Sequence, residues 1–160
     1  MNINIYPENS KFLEVDEKGN AIDSLNKALY FLENIEKDSY NWKWFAIALH
    51  HSTYSFMLLS LTKTDLSGIW KSEKRSPEGY IDIENSELIS FMEAFRRIQK
   101  PELMKHFINS KPFNANTQHE RAMRYLNDRL RNLFVHYKPI SWIIYYQCFI
   151  NIVEPVLEVI

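Results

Sequence analysis

Along most of this chain, apolar residues recur at helical rather than strand spacing, and glycine or proline seldom interrupts them. Leu25, Leu29, Leu32 and Ile35 follow one another at steps of 4, 3 and 3. They predict a first helix over about Ile22 to Glu36, with Asp23 and Ser24 as capping groups. A second helix, about Asn41 to Thr62, is apolar on most sides, as a central helix is. Its small residues Ala46, Ala48, Ser52 and Ser55 admit close neighbours. The polar stretch 63–85 predicts a solvated loop holding Lys71, Lys74 and Arg75, with the YIDI segment as a candidate short strand. A third helix, Ser86 to Gln99, takes Ser86 as cap, Leu88, Phe91, Met92 and Phe95 as its apolar face, and Pro101 as its stop. A brief helical piece, Glu102 to Ile108, follows. The fourth helix, about Thr117 to His136, carries the stripe Met123, Leu126, Leu130, Leu133 and Tyr137. Pro139 then opens a fifth helix reaching about Val153, whose Trp142, Tyr145, Tyr146, Phe149 and Ile152 form a large aromatic surface. The pattern predicts an all-α fold, an up-and-down bundle of about five helices in one domain spanning 1–160, with its core at about 20–155.

Composition agrees with a packed bundle: 46% of the residues are apolar and 14% aromatic. With 19 Lys+Arg against 20 Asp+Glu, the chain is no polycation, so any nucleic-acid contact has to come from a local patch. A single cysteine, Cys148, rules out an internal disulfide framework and a cysteine-based zinc site. Three glycines, Gly19, Gly68 and Gly79, cannot make either glycine-rich nucleotide loop. The opening MNINIYPENSKF lacks a basic region followed by an apolar run. Trp44 to Thr62 is too polar for a membrane span, and Ile140 to Val153 is too short. A soluble, cytoplasmic protein is expected.

Chemistry has few places to reside. The histidines are His50, His51, His106, His119 and His136; no two stand at i, i+4 and no carboxylate cluster completes a ligand set, so neither metal nor cofactor is expected. Hydrolase signatures are absent too, and Cys148 sits in an apolar segment where a thiol is a small hydrophobe. The segment from His119 to Lys138 is locally basic: Arg121, Arg124, Arg129, Arg131 and Lys138 outnumber Glu120 and Asp128. On an ideal helix Arg129, Asn132 and His136 share a face, and the Asn132 amide is within reach of the His136 imidazole. Arg131 lies about 140° round from His136, so only its length and a fraying helix end would bring the two together. The plain alternative is an ion pair from Arg131 to Asp128, with His136 placed at a helix C-terminus by the dipole.

The segment Arg131-Asn132-Leu133-Phe134-Val135-His136 resembles the R-N-x-x-x-H motif of HEPN-domain proteins, which occurs late in a bundle of four or five helices. WKWFAIALHHSTYSFMLLSL also looks like the second helix of a group of bacterial HEPN-like proteins. The resemblance covers about residues 20–155. It implies metal-independent endoribonuclease activity, a toxin or defence role, RNA as substrate, an antitoxin protein as partner, and a homodimer in which two motifs face each other. It also implies Arg131 as phosphate clamp, His136 as acid–base group and Asn132 as orienter, with Arg129, Lys138 and His51 against RNA. Some HEPN-like proteins are instead non-catalytic modules that bind a partner protein or a small ligand.

Overall fold

The structure is a computed structural model that describes residues 15–105, 111–136, 141 and 143–160. It is an all-α bundle with one small hairpin. The elements are α1 (Glu17–Glu33), α2 (Asn41–Leu61), β1 (Trp70–Ser72), β2 (Glu87–Leu88), α3 (Phe91–Arg97), α4 (Pro101–Met104), α5 (Thr117–Arg124), a π-helical turn (Tyr125–Arg131), α6 (Asn132–Val135) and α7 (Tyr146–Leu157).

Helix α1 begins five residues before the expected start, because Asp16 rather than Asp23 or Ser24 caps it, accepting from the Gly19 N–H at 2.7 Å. The face it buries is also not the leucine stripe. Ala21, Ser24 and Ala28 turn towards α2, and Ser52 Oγ of α2 donates to the Ala21 carbonyl at 3.2 Å. Short side chains on both helices let the backbones approach this closely. As a result Leu29 is 54% exposed and Ile22 42% exposed. On its other sides α2 buries Phe45, Leu49, Met57 and Leu61, the middle of the core.

Beyond α2 the chain folds back over the helix end. Gly68 (φ +99°) makes this possible: a Cβ there would lie 2.3 Å from the Leu61 carbonyl oxygen. Strands β1 and β2 pair antiparallel, Trp70 opposite Leu88 and Ser72 opposite Glu87. The pairing takes Glu87 and Leu88 out of the expected third helix, whose real cap is Ser90, accepting from Glu93 N–H at 3.3 Å. The YIDI segment makes one isolated bridge, Arg75 to Ile81. Arg97 of α3 fastens the fold-back by donating to the carbonyls of Gly68 (2.8 Å) and Trp70 (3.3 Å). Pro101 not only stops α3 but opens α4 at its first turn.

Helix α5 starts with a reciprocal cap. Asn116 Oδ1 accepts from the Gln118 and His119 N–H groups, and His119 Nδ1 accepts from the Asn116 N–H at 3.0 Å. That leaves the His119 proton on Nε2, where it meets Glu158 at the end of α7. His119 is thus a buried clamp between two helices. Met123, Leu126 and Leu130 are fully buried, as the stripe predicts, while Leu133 is half-buried; Tyr137 lies outside the described residues.

The aromatic surface expected at the end of the chain divides. Phe149 and Ile152 enter the core, Phe149 with its ring 4.4 Å from that of Trp42. Tyr146 stacks on Trp42 at 5.4 Å and remains half exposed, and Tyr145 is exposed; Trp142 falls outside the described residues. Ser141 and 143–145 are not helical, so α7 starts at Tyr146 and not near Pro139. It runs on through Pro155, which gives up only one N–H so close to the helix end.

The fold-back yields a direct prediction. Gly68→Ala should lower unfolding free energy by about 2 kcal/mol or more, since both the positive φ and the Leu61 carbonyl resist a Cβ. Urea denaturation measures it, and a loss under about 0.5 kcal/mol would show that the loop simply shifts aside.

Candidate active site

Helix α5 should have continued evenly to His136, but seven residues, Tyr125–Arg131, adopt the wider π form before α6 resumes. The π turn changes which residues share a face. Asn127 and Arg131 are brought to the α2 side, where Asn127 Oδ1 lies 3.0 Å from His50 Nε2 and the Arg131 charge reaches His50. Arg129 is exposed, and its charge acts on Tyr125, whose hydroxyl lies beside Cys148 of α7. Burial, then the Cys148 contact, pushes that phenol up to about 12. The expected shared face of Arg129, Asn132 and His136 is therefore not formed.

At the C-terminal end of α6, His136 leaves the helix with extended backbone (φ −97°, ψ 103°). Its ring swings back along the helix, and Arg131 Nη1 lies 3.0 Å from His136 Nε2 and 3.0 Å from Asn132 Oδ1. A guanidinium can only donate, so Nε2 must present its lone pair and the ring proton must sit on Nδ1. Asn132 accordingly steadies Arg131 rather than the imidazole. Nor does Arg131 pair with Asp128, whose Oδ1 accepts instead from Asn127 Nδ2 at 2.6 Å. Among the described residues, neither Arg131 nor Arg129 is neutralised by a carboxylate, whereas Arg124 pairs with Glu120 at 3.5 Å.

Behind this pair lies a second, ordered row. Asp128 is an acceptor, so the Asn127 amide must turn its NH₂ to it and its oxygen to His50. His50 must then donate from Nε2. Its ring stacks on Phe91, with centroids 4.3 Å apart and planes 16° from parallel. Burial in this slot, with the positive charges of Arg131 and His51 adding to it, pushes the imidazole down to about 4, although the Asn127 hydrogen bond pulls the other way. Nothing in the motif pointed to Asn127. Its one sequence signal is an amide four residues before Arg131 on a helix otherwise lined with leucine and charge.

Of the other expected contacts, His51 is exposed and lines a different cavity, on the hairpin side of α2. Lys138 and His106 lie outside the described residues. No group of three His, Cys, Asp or Glu side chains is placed to hold a metal among the described residues, and no helix there is long and apolar enough to cross a membrane. Compared with known proteins, the chain matches no family model, no curated protein and no solved structure.

The depressed His50 gives a pH prediction. Between pH 6.5 and about 4 the unfolded chain takes up a proton at this position that the folded chain refuses. Its contribution is thus complete above pH 6.5 and eroded as pH falls towards 4, by at most about 3 kcal/mol. His50→Phe keeps the stacking and removes the titration. Unfolding free energies at pH 7, 5.5 and 4.5 should fall less steeply for this variant than for the parent; parallel curves would refute a buried neutral ring.

Proposed function

We propose that this chain is a metal-independent endoribonuclease of the HEPN type, acting in the cytoplasm as a toxin or defence effector, with Arg131 and His136 as the reacting pair. The observation that carries the reading is the 3.0 Å contact between a charged guanidinium and the unprotonated Nε2 of an exposed imidazole. Arg131 spans both roles. Unliganded, it occupies the imidazole lone pair; an RNA phosphate offers it two oxygens in a planar fork instead. As the guanidinium turns to the phosphate, Nε2 is freed to take the proton of the neighbouring 2′-OH. The O2′–P bond forms, charge on the phosphorane oxygens meets the guanidinium, and the P–O5′ bond breaks. An imidazolium from the facing motif of a homodimer supplies the proton to the departing 5′ oxygen. The products are a 2′,3′-cyclic phosphate and a 5′-hydroxyl. Asn132 holds Arg131 at the correct height, and the π turn aims it. Arg131 and the two imidazoles of the facing motifs account for every proton and charge in this sequence, so the reading calls for no metal.

Purified protein should cleave single-stranded RNA in EDTA and leave cyclic phosphate ends. Arg131→Ala and His136→Ala should each slow cleavage by about 10²-fold or more. Arg131 is half-buried and His136 exposed, so neither change should cost more than about 1 kcal/mol of stability. Arg131→Lys should recover little, because the fork is lost. If the folded alanine variants cleave as fast as the parent, the pair is structural and the proposal fails.

A further inference from the structure

On the face of α2 that carries His51, about 100° round from His50, the fold-back between α2 and the hairpin borders a cavity of about 320 Å³ that is partly open to solvent. The volume falls at the low end of the about 300–1,000 Å³ typical of small-molecule sites. Its walls are Tyr54 and Leu58 of α2, Leu66, Ile69 and Trp70 of the fold-back, and Leu88 of β2. Leu66 is the one non-glycine residue with positive φ (63°) among the described residues. A leucine rarely accepts that conformation. Here it is pinned by its own turn, its N–H donating to the Lys63 carbonyl at 2.8 Å, and by the Trp70 indole donating to its carbonyl at 2.8 Å. The strained residue and the indole therefore hold each other in the cavity wall.

One rim is polar. Glu17 and Asn20 stand one turn apart on α1, and His51 and Ser55 one turn apart on α2. None of these four side chains has a hydrogen-bond or ion-pair partner among the described residues, in contrast to Thr62 and Tyr54 of the same wall, which bond to backbone carbonyls. Among the described residues the only carboxylate in the lining is that of Glu17, and no lysine or arginine lines it. A lipophilic chamber with one anionic, hydrogen-bonding edge suits a small molecule built the opposite way.

We propose that this cavity binds a small organic cation: an aromatic or branched aliphatic body in the chamber, and a primary ammonium head at the rim between Glu17, Asn20, His51 and Ser55. The site is independent of the Arg131–His136 pair, and its test requires no RNA cleavage.

The experiment follows the indole N–H resonance of Trp70 by NMR while the intact protein is titrated separately with 2-phenylethylamine, 2-phenylethanol and 3-phenylpropionate. The amine should shift the resonance with a Kd of about 0.1–1 mM. It should bind about threefold or more tighter than the alcohol, and the carboxylate should bind weakest. Glu17→Gln should erase the preference for the amine over the alcohol. Leu58→Trp should fill the chamber and abolish all shifts; should it fail to fold, Ser55→Phe narrows the rim and serves instead. A resonance unmoved by about 10 mM of any probe overturns the site. Equal binding of all three, or binding that survives the filling variant in a folded protein, overturns the cation assignment or the location respectively.

Discussion

A π turn admits one residue more than an α turn, so each side chain after it meets its neighbours roughly 100° from where an α-helical count would put it. The Tyr125–Arg131 turn imposes that offset within a locally basic segment of the chain. The buried leucines Leu126 and Leu130 keep the core contact while the polar residues between them are redistributed: Asn127 and Arg131 towards α2, Arg129 outwards beside Tyr125. The candidate site depends on this redistribution. From within this turn the Asn127 amide reaches His50.

A second constraint acts on another face of α2. Ala21, Ser24 and Ala28 against α2 draw the two longest helices close, and the Ser52 to Ala21 hydrogen bond belongs to that close approach. Tight pairing through small residues leaves larger ones outside: Ile22 and Leu29 stand in solvent on α1. It also fixes α2 as a two-sided wall. His50 faces the Arg131 cluster, and His51, about 100° further round, faces the cavity under the hairpin.

Periodicity and punctuation made the helices legible, because both report local geometry. The Asn41 to Leu61 helix and the Thr117 to Val135 run lie within a residue of their expected limits, and Met123, Leu126 and Leu130 are buried as their spacing demands. What depends on partners was not legible. The leucine stripe of α1 lost to alanine and serine because a close helix pair weighs proximity above side-chain size. Glu87 and Leu88 joined a strand because Trp70 and Ser72 lay opposite them. The proximity of Arg131 and His136 was readable only as a motif. Helical geometry argued against it until the chain left the helix at His136, and the supporting Asn127 meets a residue 77 positions away.

The row from His50 through Asn127 to Asp128 has its protons all pointing one way. To carry a proton along such a row, the amide would have to pass through its imidic-acid form, so the row is an insulator and not a wire. An uncharged ring backed by an amide places a polarisable but non-conducting surface behind the Arg131 guanidinium. Charge arriving at the outer face of Arg131 cannot leak into the bundle by proton exchange. It has to be met at the surface, by whatever anion the arginine finds there.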